Sequence, residues 1–209
     1  MNPLPKKDLI VLVADKNMEF AIKGILTRHQ ALGIREVSYD LYVHPERDPG
    51  CLNRGHDFVS SFAKSHACAM VVMDRDGCGR ESCSPEILEV EIESRLSTSG
   101  WAGHTAIVIT PELENWVWSD SPHVDILLGW ANKNPSLKSW LVEKDFWKVG
   151  ETKPHAPKEA LEAAIRVTRK QRSSSLYYDL ATRVGLGGCT DRAFVKLREN
   201  LRNWFSVDL

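Results

Sequence analysis

The chain has 209 residues, enough for one domain, or for one domain with an appendage. Its 43% hydrophobic and 26% charged residues, with 13 Gly and 10 Pro, exclude collagen-like, disordered and low-complexity classes. A formal net charge of -1 lacks the overall basic excess of a nucleic-acid binder, yet the charge is uneven: residues 1–150 carry 16 Lys and Arg against 21 Asp and Glu, and residues 151–209 carry 11 against 7. An acidic body is followed by a basic tail.

Residues 9–13, Leu-Ile-Val-Leu-Val, form a continuous β-branched run and predict a buried strand, followed by a helix over residues 17–28 with Phe20, Ile22, Ile25 and Leu26 as its apolar residues. Alternation over residues 37–43 predicts a half-exposed strand. A Pro- and Gly-punctuated loop over residues 44–50 leads to a weaker helix over 55–64, then to a third strand over 67–73. Ser84-Pro85-Glu86 is a helix start, and Leu88, Ile92 and Leu96 repeat at four-residue spacing behind it. Residues 105–109 predict a fourth strand. From Pro135 onward strand signals vanish, leaving helices over 158–170, 176–183 and from Asp191, the last with Phe194, Leu197, Leu201 and Trp204 or Phe205 on one face.

Strands alternating with helices predict an α/β fold, with a mostly parallel sheet of about four strands flanked by helices. The expected organisation is a sheet domain over residues 1–134 with a C-terminal helical extension over 135–209 packed on it. No apolar stretch approaches the ~18 residues of a membrane span. The N-terminus lacks the apolar run and small-residue cleavage site of a signal peptide, so the expected location is cytoplasmic. Five cysteines at irregular spacing then predict reduced thiols.

In a parallel sheet, ligands bind outside the carboxyl ends of the strands, and here those ends are acidic. Strand one runs into Asp15-Lys16-Asn17-Met18-Glu19, strand three into Asp74-Arg75-Asp76-Gly77, and strand four into Glu112-Leu113-Glu114. Crowded carboxylates raise one another's pKa, so such a cluster normally holds a proton or a cation, and an all-oxygen set suits Mg²⁺ or Mn²⁺. Asp74 and Asp76 are the sharpest pair, since in extended chain both point one way and Arg75 the other. The blander readings are a strand-end turn with Asp capping nearby amides and, for Glu19, a solvated first-turn carboxylate on the helix dipole. His44, Glu46 and Asp48, in the loop after strand two, approach the same edge unless they only stabilise a turn.

These residues resemble the Toprim superfamily of topoisomerases, primases and certain nucleases, in which the first strand delivers a Glu and the third an Asp-x-Asp. The chain is more closely similar to a bacterial Toprim-like family of unknown function, matched by residues 15–19, by Asp74-Arg75-Asp76, by Leu113-Glu114-Asn115-Trp116-Val117-Trp118-Ser119-Asp120, and by the segment from Pro157 through the tail. The resemblance implies Mg²⁺-dependent phosphodiester hydrolysis, a nuclease activity, with Asp74, Asp76 and Glu114 holding metal and with Asp15 or Glu19 as general base or further ligand. It also implies a setting in bacterial anti-phage defence with protein partners. Lys16, Arg75 and Arg80 are candidate phosphate contacts, and Arg166, Arg169, Lys170 and Arg172 a candidate grip on a nucleic-acid backbone. Ion pairing and a solvated helix face are the plainer explanations of these cations. The family pattern has Glu where Asp15 stands and Gly where Lys16 stands, which shortens a carboxylate and introduces a competing cation.

Three rival readings stand beside this one. Residues 71–77 resemble the nucleophile motif of haloacid-dehalogenase-type phosphatases, although that motif belongs on a first strand. Cys68, Cys78, Cys83, His56 and His66 suggest zinc but contain no paired Cys-x-x-Cys. Seven tryptophans, with Trp116 and Trp118 alternating after strand four, suit a lid over the acidic edge or an inactive Toprim-like binding or accessory subunit of a larger complex.

Overall fold

The computed structural model describes residues 6–207; the first five residues of the N-terminal segment considered above lie outside the described residues. Four strands, β1 (Lys7–Val13), β2 (Tyr39–Val43), β3 (His66–Asp74) and β4 (Gly103–Ile109), form one all-parallel sheet in the order β2-β1-β3-β4. Helices α1 (Lys16–Leu26), α2 (His29–Leu32), α3 (Arg47–Ser60) and α4 (Pro85–Ser97) fill the connections, and after β4 come a 3₁₀ helix (Leu113–Trp116), α5 (Pro122–Leu127), α6 (Leu137–Glu143), α7 (Pro157–Thr168), α8 (Ser174–Arg183) and α9 (Arg192–Phe205). No described helix is long and apolar enough to cross a membrane.

The strand order explains the composition of each strand. β1 and β3 are central and covered on both faces, so Leu9 to Val13 and Ala69 to Met73 are all buried and read as uninterrupted apolar runs. β2 is an edge, and its alternation leaves Tyr39, Leu41 and Val43 only half-buried while Asp40 pairs with Lys7 at 2.6 Å. β2 begins two residues later than its sequence pattern suggests. The predicted loop over 44–50 also differs: α3 already starts at Arg47, because Pro49 falls in the first turn, where its missing N–H costs nothing. Gly50 makes this possible, since a Cβ there would lie 2.0 Å from His44 Nδ1.

β4 is the other edge, yet Ala106 to Ile109 are wholly buried. Carboxylates from α4 stand in for a fifth strand. Glu93 Oε1 accepts the Ala106 N–H at 3.0 Å, Glu89 Oε1 accepts the Val108 N–H at 2.9 Å, and Arg192 of α9 donates to the Val108 carbonyl at 3.1 Å. Arg192 and Lys196 in turn pair with Glu89 at 2.9 and 3.0 Å. The edge is therefore closed to further pairing. On the sheet's other flank α8 packs so tightly on α1 that a Cβ at Gly24 would lie 2.8 Å from the Ala181 Cβ. Helices from the C-terminal region thus contact the sheet layer directly at both α1 and β4.

Replacing Glu89 by Ala strands the Val108 N–H and two cations. The expected loss in urea unfolding is ~2–4 kcal/mol, below that of a fully enclosed pair because Arg192 and Lys196 reach water. Glu89→Gln, which keeps an acceptor for Val108, is expected to lose less.

Candidate functional site

The carboxyl edge of the sheet gathers acids from all four strand ends. Asp15 N-caps α1, with Oδ1 accepting the Met18 N–H at 2.9 Å. Asp48, in the first turn of α3, accepts the Asp74 N–H through Oδ1 at 2.8 Å. Asp74 ends β3, and Gly77, at φ +88°, turns the following chain back so that its Cβ position is 3.9 Å from Asp48 Oδ2. Glu112 and Glu114 follow β4, the latter buried on the 3₁₀ helix.

Asp74 is the least satisfied group in this set. Oδ1 is sealed from solvent with no hydrogen-bond partner, and among the described residues nothing donates to Oδ2 either. Burial, then the charges of Asp48, Glu114, Asp15 and Glu112, push its carboxyl well above the usual aspartate range. Asp48 is raised by its own burial, against the Asp74 amide, with Asp15 adding to the rise. Glu112 is raised by burial and by Glu114 despite Lys158 Nζ at 3.2 Å. Glu114 is held on one oxygen only: the Tyr177 hydroxyl donates to Oε1 at 2.5 Å and Arg172 Nη2 donates to the same atom at 3.1 Å, while Arg172 Nη1 pairs with Glu162. Among the described residues no other residue donates to Asp15 Oδ2, Asp48 Oδ2 or Glu114 Oε2. Among the described residues Asp15, Asp48 and Glu114 are thus each held by other residues through one oxygen only, and Asp74 through neither. No three His, Cys, Asp or Glu side chains among the described residues lie close enough together to hold a metal ion as they stand.

The remaining expected site residues lie apart from Asp74. Glu19 is buried, and although burial works against ionisation, hydrogen bonds from Lys16 at 2.5 Å and Lys23 at 2.6 Å hold its carboxyl below the ordinary glutamate range. Lys16 is committed to that pair and does not fill the space around Asp74. Asp76 stands beyond the end of β3, exposed, with Arg75 Nη2 at 3.5 Å. Strand alternation therefore does not extend to it, and the Asp-x-Asp pair is split between a half-buried member and an exposed one. Arg80 is taken by Glu91 at 2.5 Å. Arg169 caps the end of α7 in a left-handed conformation and, like Lys170, is exposed, so of the basic run only Arg172 reaches the acids. Trp116 and Trp118 do not lie in extended chain over the acids; their indole N–H groups donate to Asp191 and to the Pro157 carbonyl. His66, considered above for zinc, is buried between the Ser65 hydroxyl at 2.9 Å and Asp40 at 3.1 Å. Tyr177 and Lys158 join the site from helices distant in sequence, and no local pattern marks them.

The raised carboxyls give a pH dependence with a definite sign. The folded chain holds protons on Asp74, Asp48 and Glu112 above the values at which the unfolded chain releases them. Their contribution to stability is therefore complete in acid, below about pH 4, and is lost as pH rises through the raised values. Asp74→Asn, which keeps the shape without the charge, is expected to raise the thermal midpoint by about 3 °C or more near neutral pH. That advantage should shrink towards about pH 4, as measured by calorimetry across the range.

Comparison with known protein families, with curated proteins and with solved structures finds no match to this chain.

Proposed function

We propose that the chain is a metal-dependent phosphodiesterase acting on nucleic acid, centred on Asp74. The observation that carries this reading is a half-buried carboxylate whose sealed Oδ1, like its Oδ2, has no donor among the described residues, set among the charges of Asp48, Glu114, Asp15 and Glu112. Hydrogen-bond donors normally satisfy a buried acid, and a hard divalent cation is the partner that instead benefits from several free carboxylate oxygens. Asp74, Asp48, Asp15 and Glu114 would hold Mg²⁺ or Mn²⁺, with Asp48 taking the place that the Toprim resemblance gives to Asp76. The chemistry such a cation supplies is polarisation of a phosphoryl oxygen and acidification of water. Arg172 pairs with Glu114, and its planar guanidinium matches a phosphate equally well. Arg166, Arg169 and Lys170, all exposed just before it, extend a path for a polyanionic backbone towards the acids. The proposed setting in bacterial anti-phage defence with protein partners rests on the resemblance, and the proposed cytoplasmic location on the N-terminal sequence.

A second reading, an inactive accessory subunit, is favoured by one observation: as they stand, the acids among the described residues are too far apart to ligate one ion together. Cleavage of mixed DNA and RNA substrates with Mg²⁺ or Mn²⁺ separates the two. The expected result is metal-dependent cleavage that falls by about a hundredfold or more in Asp74→Ala, and further in Asp48→Ala than in Asp76→Ala. No cleavage of any substrate, together with no cation binding by calorimetry, favours the accessory subunit.

A further inference from the structure

Beside the acidic edge, on the far side of Glu114 and Tyr177, lies a cavity of 580 Å³ walled by α1, the 3₁₀ helix, α8, residues 184–190 and the start of α9. Its size falls within the ~300–1,000 Å³ range of small-molecule sites, and its lining is of the matching kind, mostly apolar with few polar groups. Ile25, Leu180, Tyr177 and Phe194 close its floor and are themselves almost wholly buried, so the aromatic surface that remains open among these is that of the half-buried Trp116. The indole N–H of Trp116 is already used on Asp191 at 2.8 Å, so the ring borders the cavity without an unmet donor.

The charges at the cavity select among occupants. Lys153 is already engaged by the Asn115 carbonyl at 2.7 Å and by Asp191 at 3.8 Å. Asp120 is exposed at the rim and forms no ion pair among the described residues. A second, smaller cavity of 180 Å³ shares Trp118, Ser119 and Asp120 with the first and adds Asp125 and Trp147. The one cation there, Lys138, stacks over the Trp147 ring at 4.9 Å and pairs with neither acid. The free charge is thus acidic and shares the cavity with the half-buried indole of Trp116, an arrangement that attracts organic cations and disfavours anions.

We propose that this cavity is a binding site for a small, flat aromatic cation, its ring against Trp116 and its charged nitrogen at Asp120. The site shares a wall with the acidic edge, because Tyr177 touches the cavity with its ring and Glu114 with its hydroxyl. The assignment does not depend on the proposed phosphodiesterase activity.

Proflavine, a planar fluorescent cation, tests it, with anilinonaphthalene sulfonate as an anionic counterpart of similar size. Cys189 lines the cavity and is half-buried, whereas Cys83 is comparably accessible and lies outside it, so their alkylation rates at fixed pH report occupancy against an internal control. Proflavine is expected to bind, to slow alkylation of Cys189 but not of Cys83, and to lose about tenfold in affinity in Asp120→Asn. Gly188→Trp, at a mouth position where an added Cβ meets nothing within 4 Å, should abolish binding without unfolding the chain. Asp74→Asn should leave proflavine binding unchanged. The proposal is overturned by unprotected Cys189, by preferential binding of the sulfonate, or by proflavine binding that Asp74→Asn removes and Gly188→Trp does not.

Discussion

A half-buried carboxylate at the end of a central strand, with one oxygen sealed from solvent and no donor to either among the described residues, is the constraint around which the carboxyl edge of this sheet is arranged. Asp74 cannot move away, because the strand it ends is paired on both sides and its own amide is fixed by Asp48. Asp48 is in turn fixed by the first turn of α3, which approaches His44 closely only because residue 50 is glycine. The negative charge that these acids bring together is countered from the C-terminal helices, by Arg172 and Tyr177 at Glu114 and by Lys158 at Glu112. The basic tail seen in the composition thus delivers selected cations to the acidic body.

The same side-chain type is used in two opposite ways. Glu89 and Glu93 are also drawn into the protein, yet their oxygens are occupied by strand amides and by Arg192 and Lys196, and they close the edge of β4. That is a satisfied network, and it stabilises the fold. Asp74 has one oxygen sealed from solvent and no partner for it among the described residues, which costs stability unless a proton or a cation is supplied. The contrast separates a satisfied acidic group from an unsatisfied one, where residue type alone makes no distinction.

Much of the architecture was legible in the sequence for simple reasons. The uninterrupted apolar runs of β1 and β3 mark central parallel strands, the alternation around Leu41 marks an edge, and Ser84-Pro85 marks the start of α4 with Ser84 capping it. The acidic strand ends were legible too, since strand order alone sends Asp15, Asp74, Glu112 and Glu114 to one edge. Two features were not. Asp76 looked like the partner of Asp74 because alternation was carried past the end of the strand, and Glu19 looked available because its two lysines, three residues before it and four after, read equally well as solvated charges. Tyr177, Lys158 and the blocking of β4 by α4 depend on helix docking across long sequence distances, which no local pattern encodes.

The reading of Asp74 as the centre of a cation site is tested most directly by titrating Mn²⁺ into the wild type and Asp74→Asn and following the free ion by electron paramagnetic resonance. A saturable site in the wild type that is lost in the variant, competed by Mg²⁺, is the predicted result. No saturable binding, or a site that survives Asp74→Asn unchanged, contradicts the account and leaves the acids of this edge to protons alone.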